Sequence, residues 1–205
     1  AVIVGGWLWA AIGALAAMLA AHEFLRLVGG AGPMRPGAGT RYALGMPIVA
    51  LFLADALWPS VGIGSWGVAL AVLAPLAALV VRGNPEGGLA DWALTVAGTL
   101  YVGYTLAHWL RLRALEDGMA WTVVALAGTW MSDTGAYLVG RALGRRPFFP
   151  SISPKKTLDG AVGGMVLSVL GTVAAALLLP VAIAPWQALV LGLLISIAAP
   201  LGDLA

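Results

Sequence analysis

Apolar residues run along this chain in long unbroken stretches, without the alternation of a strand or the narrow stripe of a surface helix. Seven stretches stand out, roughly Val2–Ala21, Tyr42–Trp58, Ile63–Val81, Trp92–Leu110, Met119–Val139, Ala161–Leu179 and Trp186–Gly202. A helix needs about 20 mostly apolar residues to cross a bilayer, and each stretch approaches that length. Continuous apolarity predicts helices rather than the alternating strands of a barrel. From Gly160 to Gly202 there are 43 residues without a charge. That is too long for one helix, and Pro180 and Pro185 mark the turn between two. Trp58, Trp66, Trp92, Trp109, Trp121 and Trp186 fall near span ends, where interfacial indoles belong. The expected fold is all-α: a polytopic helical membrane protein with about seven transmembrane helices. Residues 1–118 hold the first four spans. Residues 119–205 form a second region, with a basic loop at 140–160.

Composition narrows the function classes. Of 205 residues, 61% are hydrophobic and 10% are charged. A soluble domain carries about a quarter charged residues, so a water-soluble enzyme, a disordered segment and a nucleic-acid-binding module are all excluded. The chain has no cysteine, which removes disulfides, thiolate nucleophiles and cysteine–zinc sites. Two histidines, His22 and His108, are too few and too distant for a histidine metal cluster. No basic residue precedes the first apolar stretch, which suits a retained span better than a cleaved signal peptide.

The 11 basic residues divide unevenly between alternate loops. Arg26, Arg35, Arg41, Arg82, Arg141, Arg145, Arg146, Lys155 and Lys156 follow the first, third and fifth spans, while only Arg111 and Arg113 follow the fourth. The positive-inside rule makes the first set cytoplasmic and puts the N-terminus outside. Asp203 then emerges on the cytoplasmic side, level with the most basic loop. Gly29–Gly39 reads as a flexible cytoplasmic loop. Glycines at four-residue spacing, such as Gly140 and Gly144, point to close helix packing.

One region looks like chemistry. Both lysines of the chain are adjacent in Ser151-Ile152-Ser153-Pro154-Lys155-Lys156-Thr157-Leu158-Asp159-Gly160. Upstream, Asp133 interrupts an apolar stretch, and an intramembrane carboxylate is a functional hypothesis by default. Asp133, Tyr137 and Arg141 recur every four residues and share one helix face that descends to the basic loop. Lysines, hydroxyls and a helix start after Asp159 are parts for holding phosphate oxygens. A carboxylate beside phosphate calls for a divalent cation, and Asp133 with Asp203 can carry Mg²⁺. Each feature also has a plainer reading. A basic loop is a topology signal and a contact for anionic lipid. Asp133 can pair structurally with Arg141, and Asp203 can be a helix end facing water. Asp55, His22 and His108 read as interfacial, and Glu23 is a secondary candidate.

Asp133-Thr134-Gly135-Ala136-Tyr137, Gly140-Arg141, Gly144-Arg145, Ser153-Pro154-Lys155-Lys156-Thr157, Asp159-Gly160 with Gly163-Gly164, and Gly202-Asp203-Leu204 occur in that order. Together they resemble the phosphatidate cytidylyltransferase family, the CDP-diacylglycerol synthases. Residues 130–205 carry the likeness; the first hundred residues resemble the family only in being apolar spans. Asp159 stands where the family more often has Glu. The family pattern continues past Gly-Asp-Leu with Glu-Ser and further acidic residues. The resemblance therefore implies an incomplete, C-terminally truncated enzyme with more helices to follow, inactive if the polypeptide ends at Ala205.

The implied reaction joins phosphatidate and CTP to give CDP-diacylglycerol and pyrophosphate, at the cytoplasmic face of a bacterial-type plasma (inner) membrane. The implied roles are catalytic for Lys155, Lys156 and Asp133, and substrate-binding for Ser153, Thr157, Arg141, Tyr137 and Asp159. Asp133 and Asp203 are the implied ligands of Mg²⁺, with room for a second cation in the family scheme. CTP, phosphatidate and membrane lipids are the implied partners, nucleic acid is not, and a homodimer rests on the family alone. Three other readings stay open: a CTP-dependent polyprenol or phytol kinase, a transporter using Asp133 as its ion site, and a structural membrane subunit.

Overall fold

The computed structural model describes residues 6–28, 38–83 and 87–204. Arg35 and most of the Gly29–Gly39 loop lie outside the described residues. The helices are α1 (Gly6–Leu27), α2 (Ala38–Leu57), α3 (Gly64–Arg82), α4 (Gly88–Ala97), α5 (Thr105–Ala114), α6 (Gly118–Leu143), α7 (Leu158–Leu178) and α8 (Pro185–Leu204). A π-helical segment, Gly98–Tyr104, joins α4 to α5 without a break, so among the described residues seven helical runs answer to the seven predicted spans. The protein is an all-α polytopic membrane protein. Among the described residues, Gly6–Leu27, Gly39–Leu57, Leu158–Leu178 and Pro185–Asp203 are long and apolar enough to cross a membrane. α3 carries a shorter apolar run, Trp66–Arg82. The chain divides into two compact units, Ala1–Leu115 and Glu116–Ala205.

The first unit packs α1 to α5 around Phe52, Val49, Ala17, Ala21, Ala71 and Ala107, all fully buried. Glycines in its π-helical segment leave room for side chains of the neighbouring helices. A Cβ at Gly98 would lie 2.8 Å from the Phe24 ring, and one at Gly103 would lie 2.7 Å from Val49. Two ion pairs involve arginines that the sequence placed in loops. Arg41 belongs to α2, is buried, and pairs with Asp91 of α4 at 2.7 Å. Arg111 belongs to α5 and pairs with Asp55, which also accepts the Ile63 backbone N–H at 2.7 Å. Asp55 stands near the end of α2 as the sequence implied, but it faces inward and is buried. Burying a polar group is costly unless it is hydrogen-bonded, and here an arginine and a backbone N–H satisfy the carboxylate oxygens.

The second unit is α6, a hairpin, α7 and α8. Glycines let α6 and α7 approach closely. A Cβ at Gly135 would stand 2.5 Å from the Gly163 carbonyl oxygen, and one at Gly164 would stand 2.8 Å from the Ser132 carbonyl oxygen. Any side chain there would force the helices apart, which is the small-residue packing expected in a bilayer. α8 closes on α7 in the same way: the Ser168 hydroxyl donates to the Gly192 carbonyl at 3.2 Å. The sequence pointed to a loop at 140–160. Instead β1 (Pro147–Phe149) and β2 (Ser153–Thr157) form an antiparallel hairpin, with Pro147 opposite Thr157 and Phe149 opposite Ser153. Its turn carries Pro150, and the Ile152 N–H donates to the Phe149 carbonyl at 3.1 Å.

Candidate active site

The chemistry-bearing residues of the second unit converge on one cavity of about 520 Å³. α6 contributes two adjacent stripes to its wall. One holds Ser132, Ala136 and Gly140; the other holds Asp133, Tyr137 and Arg141. Both repeat every four residues, as neighbouring positions on one helix face must. Sequence reading found the second stripe and missed the first, although the same spacing one residue earlier was visible.

The hairpin supplies the opposite wall: Phe148 from β1, and Ser153, Lys155, Lys156 and Thr157 from β2. The base of the hairpin is tied down twice. The Leu158 N–H donates to the Arg146 carbonyl at 2.9 Å, and the Arg145 N–H donates to the Asp159 carboxylate at 3.0 Å. Asp159 is not among the residues lining the cavity; its carboxylate fixes where the hairpin begins. Thr157 caps α7. Its hydroxyl accepts the Gly160 N–H at 3.1 Å, which satisfies one of the four orphan donors of that helix start.

That cap also explains the glycines around it. A Cβ at Gly144 would fall 2.6 Å from the Thr157 hydroxyl oxygen, and Cβ atoms at Gly140 and Gly160 would fall 3.1 and 3.0 Å from it. The sequence assigned Gly140 and Gly144 to helix packing. In the structure Gly140 does pack against α7, where its Cβ would meet the Gly160 Cα at 3.5 Å, and both glycines also make room for the threonine that leads β2 into α7.

α8 completes the cavity with Pro200 and Asp203. Lys156 Nζ donates to an Asp203 carboxylate oxygen at 2.9 Å, joining hairpin and helix across 47 residues of sequence. Arg141 donates to the Tyr137 hydroxyl at 2.8 Å instead of pairing with Asp133. The cavity thus holds three cations, Arg141, Lys155 and Lys156, against two carboxylates, Asp133 and Asp203. The residues singled out from sequence for this site line it, except Asp159 and the secondary candidate Glu23, an exposed residue of α1 in the first unit. Phe148, Ser132 and Pro200 were missed because neither charge nor motif marks them.

Among the described residues, no group of three or more Asp, Glu, His or Cys side chains could hold a metal ion. Two carboxylates in a cavity otherwise rich in cations and hydroxyls suit a hard cation that takes its other ligands from substrate phosphates and water. That is how Mg²⁺ is commonly held. The donor set fits Mg²⁺ as a cation brought in with substrate, and does not form a closed protein cage.

The cytidylyltransferase family matches residues 1–205. A phosphatidate cytidylyltransferase of Synechocystis is 30% identical over 236 residues, covering 98% of this chain and 75% of that relative. One of Mycobacterium tuberculosis is 28% identical over 214 residues, 96% of this chain and 62% of the relative. One of Staphylococcus saprophyticus is 32% identical over 114 residues, 56% of this chain and 43% of the relative. The match therefore spans less than half of the staphylococcal protein's length.

Proposed function

The chain belongs to the cytidylyltransferase family, and from that premise we propose that it takes part in transfer of the cytidylyl group of CTP to phosphatidate, releasing pyrophosphate, at the cytoplasmic face of the inner membrane. The observation that carries this reading is the convergence of Lys155 and Lys156 with Asp133 and Asp203 in one cavity. Phosphoryl-group transfer needs positioning and charge neutralisation more than it needs a strong base. The phosphatidate phosphate is already an anionic nucleophile. One of its oxygens attacks the α-phosphorus of CTP, the bond from that phosphorus to the β-bridging oxygen breaks, and pyrophosphate leaves with the bonding electrons.

Lys155 and Lys156 hold the CTP phosphates and neutralise the charge that grows on the departing pyrophosphate. Ser153 and Thr157 stand on the same strand as those lysines. Ser153 offers a hydroxyl to phosphate, while Thr157 fixes the strand as the cap of α7. Arg141, steadied by Tyr137, receives the lipid phosphate, for which a planar guanidinium offers a two-pronged donor. Asp159 acts from outside the cavity by holding the hairpin base. Three cations against two carboxylates leave the site only weakly positive, which is too little for two polyanions. Asp133 and Asp203 would hold Mg²⁺, which when bound neutralises and orients phosphate oxygens.

A kinase transferring the γ-phosphoryl of CTP to an alcohol would release CDP in place of pyrophosphate. The test is to incubate the protein in phosphatidate-containing vesicles with labelled CTP and Mg²⁺. CDP-diacylglycerol and pyrophosphate should appear together. Lys155→Ala and Lys156→Ala should each weaken CTP binding and slow turnover by about a hundredfold, the loss expected of one preorganised charged contact. Wild-type CTP binding and rate in both variants would remove the lysines from this role. Release of CDP would replace the reading with the kinase.

A further inference from the structure

Phe148 is the large apolar side chain on the cavity wall, and neither charge chemistry nor hydrogen bonding explains it. It sits on β1, between exposed Pro147 and exposed Phe149, and is itself half-buried, so the strand alternation turns its ring inward. Phe149 braces it, with ring centroids 4.4 Å apart at 58°. The other aromatic ring on the cavity wall, Tyr137, is already engaged by Arg141, whose guanidinium carbon lies 6.0 Å from the ring centroid. Phe148, braced by Phe149, therefore brings an aromatic ring to a cavity otherwise lined by charged, hydroxyl-bearing and small residues.

Resting on the reading that Lys155 and Lys156 hold nucleotide phosphates, we propose that Phe148 is the platform on which the nucleobase stacks. β1 and β2 are paired neighbours. Adjacent strands lie about 4.8 Å apart, so the backbone of Phe148 runs beside the strand that carries both lysines, and all three side chains line the same cavity. A nucleotide has its flat apolar base one ribose away from its phosphates and matches that pairing of a cationic strand with an aromatic one. A lipid acyl chain matches it less well. The hairpin lies between the end of α6 and the start of α7, outside the membrane-crossing segment Leu158–Leu178. Stacking tolerates any base, so Phe148 supplies affinity for a nucleotide and does not itself select cytosine.

The experiment compares CTP, UTP and inorganic tripolyphosphate, each with Mg²⁺, for binding to the protein in nanodiscs. Phe148→Ala should weaken CTP and UTP about tenfold, in the range for loss of one base–aromatic stack, and leave tripolyphosphate unchanged. Phe148→Trp should keep nucleotide affinity and show indole quenching by CTP that tripolyphosphate does not cause. Phe148→Leu preserves apolar bulk at the hairpin and should behave like alanine, which separates stacking from folding. Equal loss of tripolyphosphate binding would make Phe148 a structural residue and overturn the proposal. So would a raised phosphatidate requirement with unchanged CTP affinity, which would put the ring against lipid. If the wild type binds tripolyphosphate as tightly as CTP, the platform falls while the phosphate site stands. If it binds neither, both fall.

Discussion

Asparagine at position 203 would remove the carboxylate that holds Lys156 while keeping the shape of the side chain. In the structure Lys156 Nζ and the Asp203 carboxylate are 2.9 Å apart, with Lys156 30% and Asp203 65% exposed. A pair so open to water is worth about 0–1 kcal/mol, because screening and side-chain entropy offset most of its Coulomb attraction. Lys156 must leave this partner to meet a phosphate, so without metal the pair competes with nucleotide. Asp203→Asn should therefore tighten metal-free CTP binding by up to about fivefold, the equivalent of about 1 kcal/mol. Adding Mg²⁺ should then reverse the order. In the wild type Asp133 and Asp203 would hold a cation, which would leave Lys156 available to phosphate, whereas the variant has lost one of its two carboxylate donors. The assay is a CTP titration in nanodiscs at fixed ionic strength, with EDTA and again with Mg²⁺. The expected result is a crossover: the variant tighter in EDTA, the wild type tighter in Mg²⁺. Raising salt from 0.05 to about 0.5 M should shrink the EDTA difference, since screening weakens an exposed pair. Weaker binding by the variant in both conditions would refute the competition and leave Asp203 as a purely structural partner of the lysine.

Other positions carry predictions of different size. Gly135→Ala drives a methyl group against the Gly163 carbonyl in the α6–α7 seam; it should cost about 1–3 kcal/mol of overpacking and lower the melting temperature in detergent. Thr157→Ala loses the hydroxyl that caps α7 and should cost about 1 kcal/mol, with Thr157→Ser recovering most of it in the same melt. Asp55→Ala leaves the Arg111 guanidinium without its buried partner in the first unit. It should cost about 3 kcal/mol, while Asp55→Leu combined with Arg111→Leu should be far milder, because the penalty is that of an unpaired buried charge.

The spans were legible because a bilayer demands long apolar helices and the chain has few charges to interrupt them. Their ends were less legible. Arg41 and Arg111 looked like loop charges because sequence reports polarity and not partners. Each turned out to be helical once Asp91 and Asp55 came within reach. The two glycines of the π-helical segment, Gly98 and Gly103, left no distinctive spacing and take their meaning from the tertiary neighbours Phe24, Leu25 and Val49. In the candidate site, Asp133, Tyr137 and Arg141 were readable from helical period, and Lys155 and Lys156 from their isolation. Asp203 could be matched to them only by topology, and its contact with Lys156 is a tertiary fact. The hairpin was hidden because Ser-Pro-Lys-Lys-Thr has little strand propensity. Its strands are held by the Arg145–Asp159 and Arg146–Leu158 bonds at the base, which no local propensity encodes.

The glycines link the membrane problem to the chemical one. Two helices crossing a bilayer gain little from hydrophobicity against lipid, so close van der Waals approach has to hold them. In α6 and α7 that approach is achieved where Gly135, Gly163 and Gly164 bring backbone against backbone. The same approach continues to the helix ends, where Gly140, Gly144 and Gly160 surround the Thr157 hydroxyl. Close packing at that point leaves no room for a wandering loop. The chain must leave α6 and enter α7 within a narrow space, and a short hairpin pinned at its base is a compact way to do so. A hairpin so placed directs Lys155 and Lys156 over the face of α6 that bears Asp133. The packing device that keeps the second unit together is therefore also what concentrates its scarce charges. On this account a bulky residue at Gly144 should disturb the lysines and the helix ends together, because its Cβ would meet both the Gly140 carbonyl of α6 and the Thr157 side chain, so in Gly144→Val tripolyphosphate binding and the melting temperature should fall together. A large drop in melting temperature with intact tripolyphosphate affinity would break the link between seam and site.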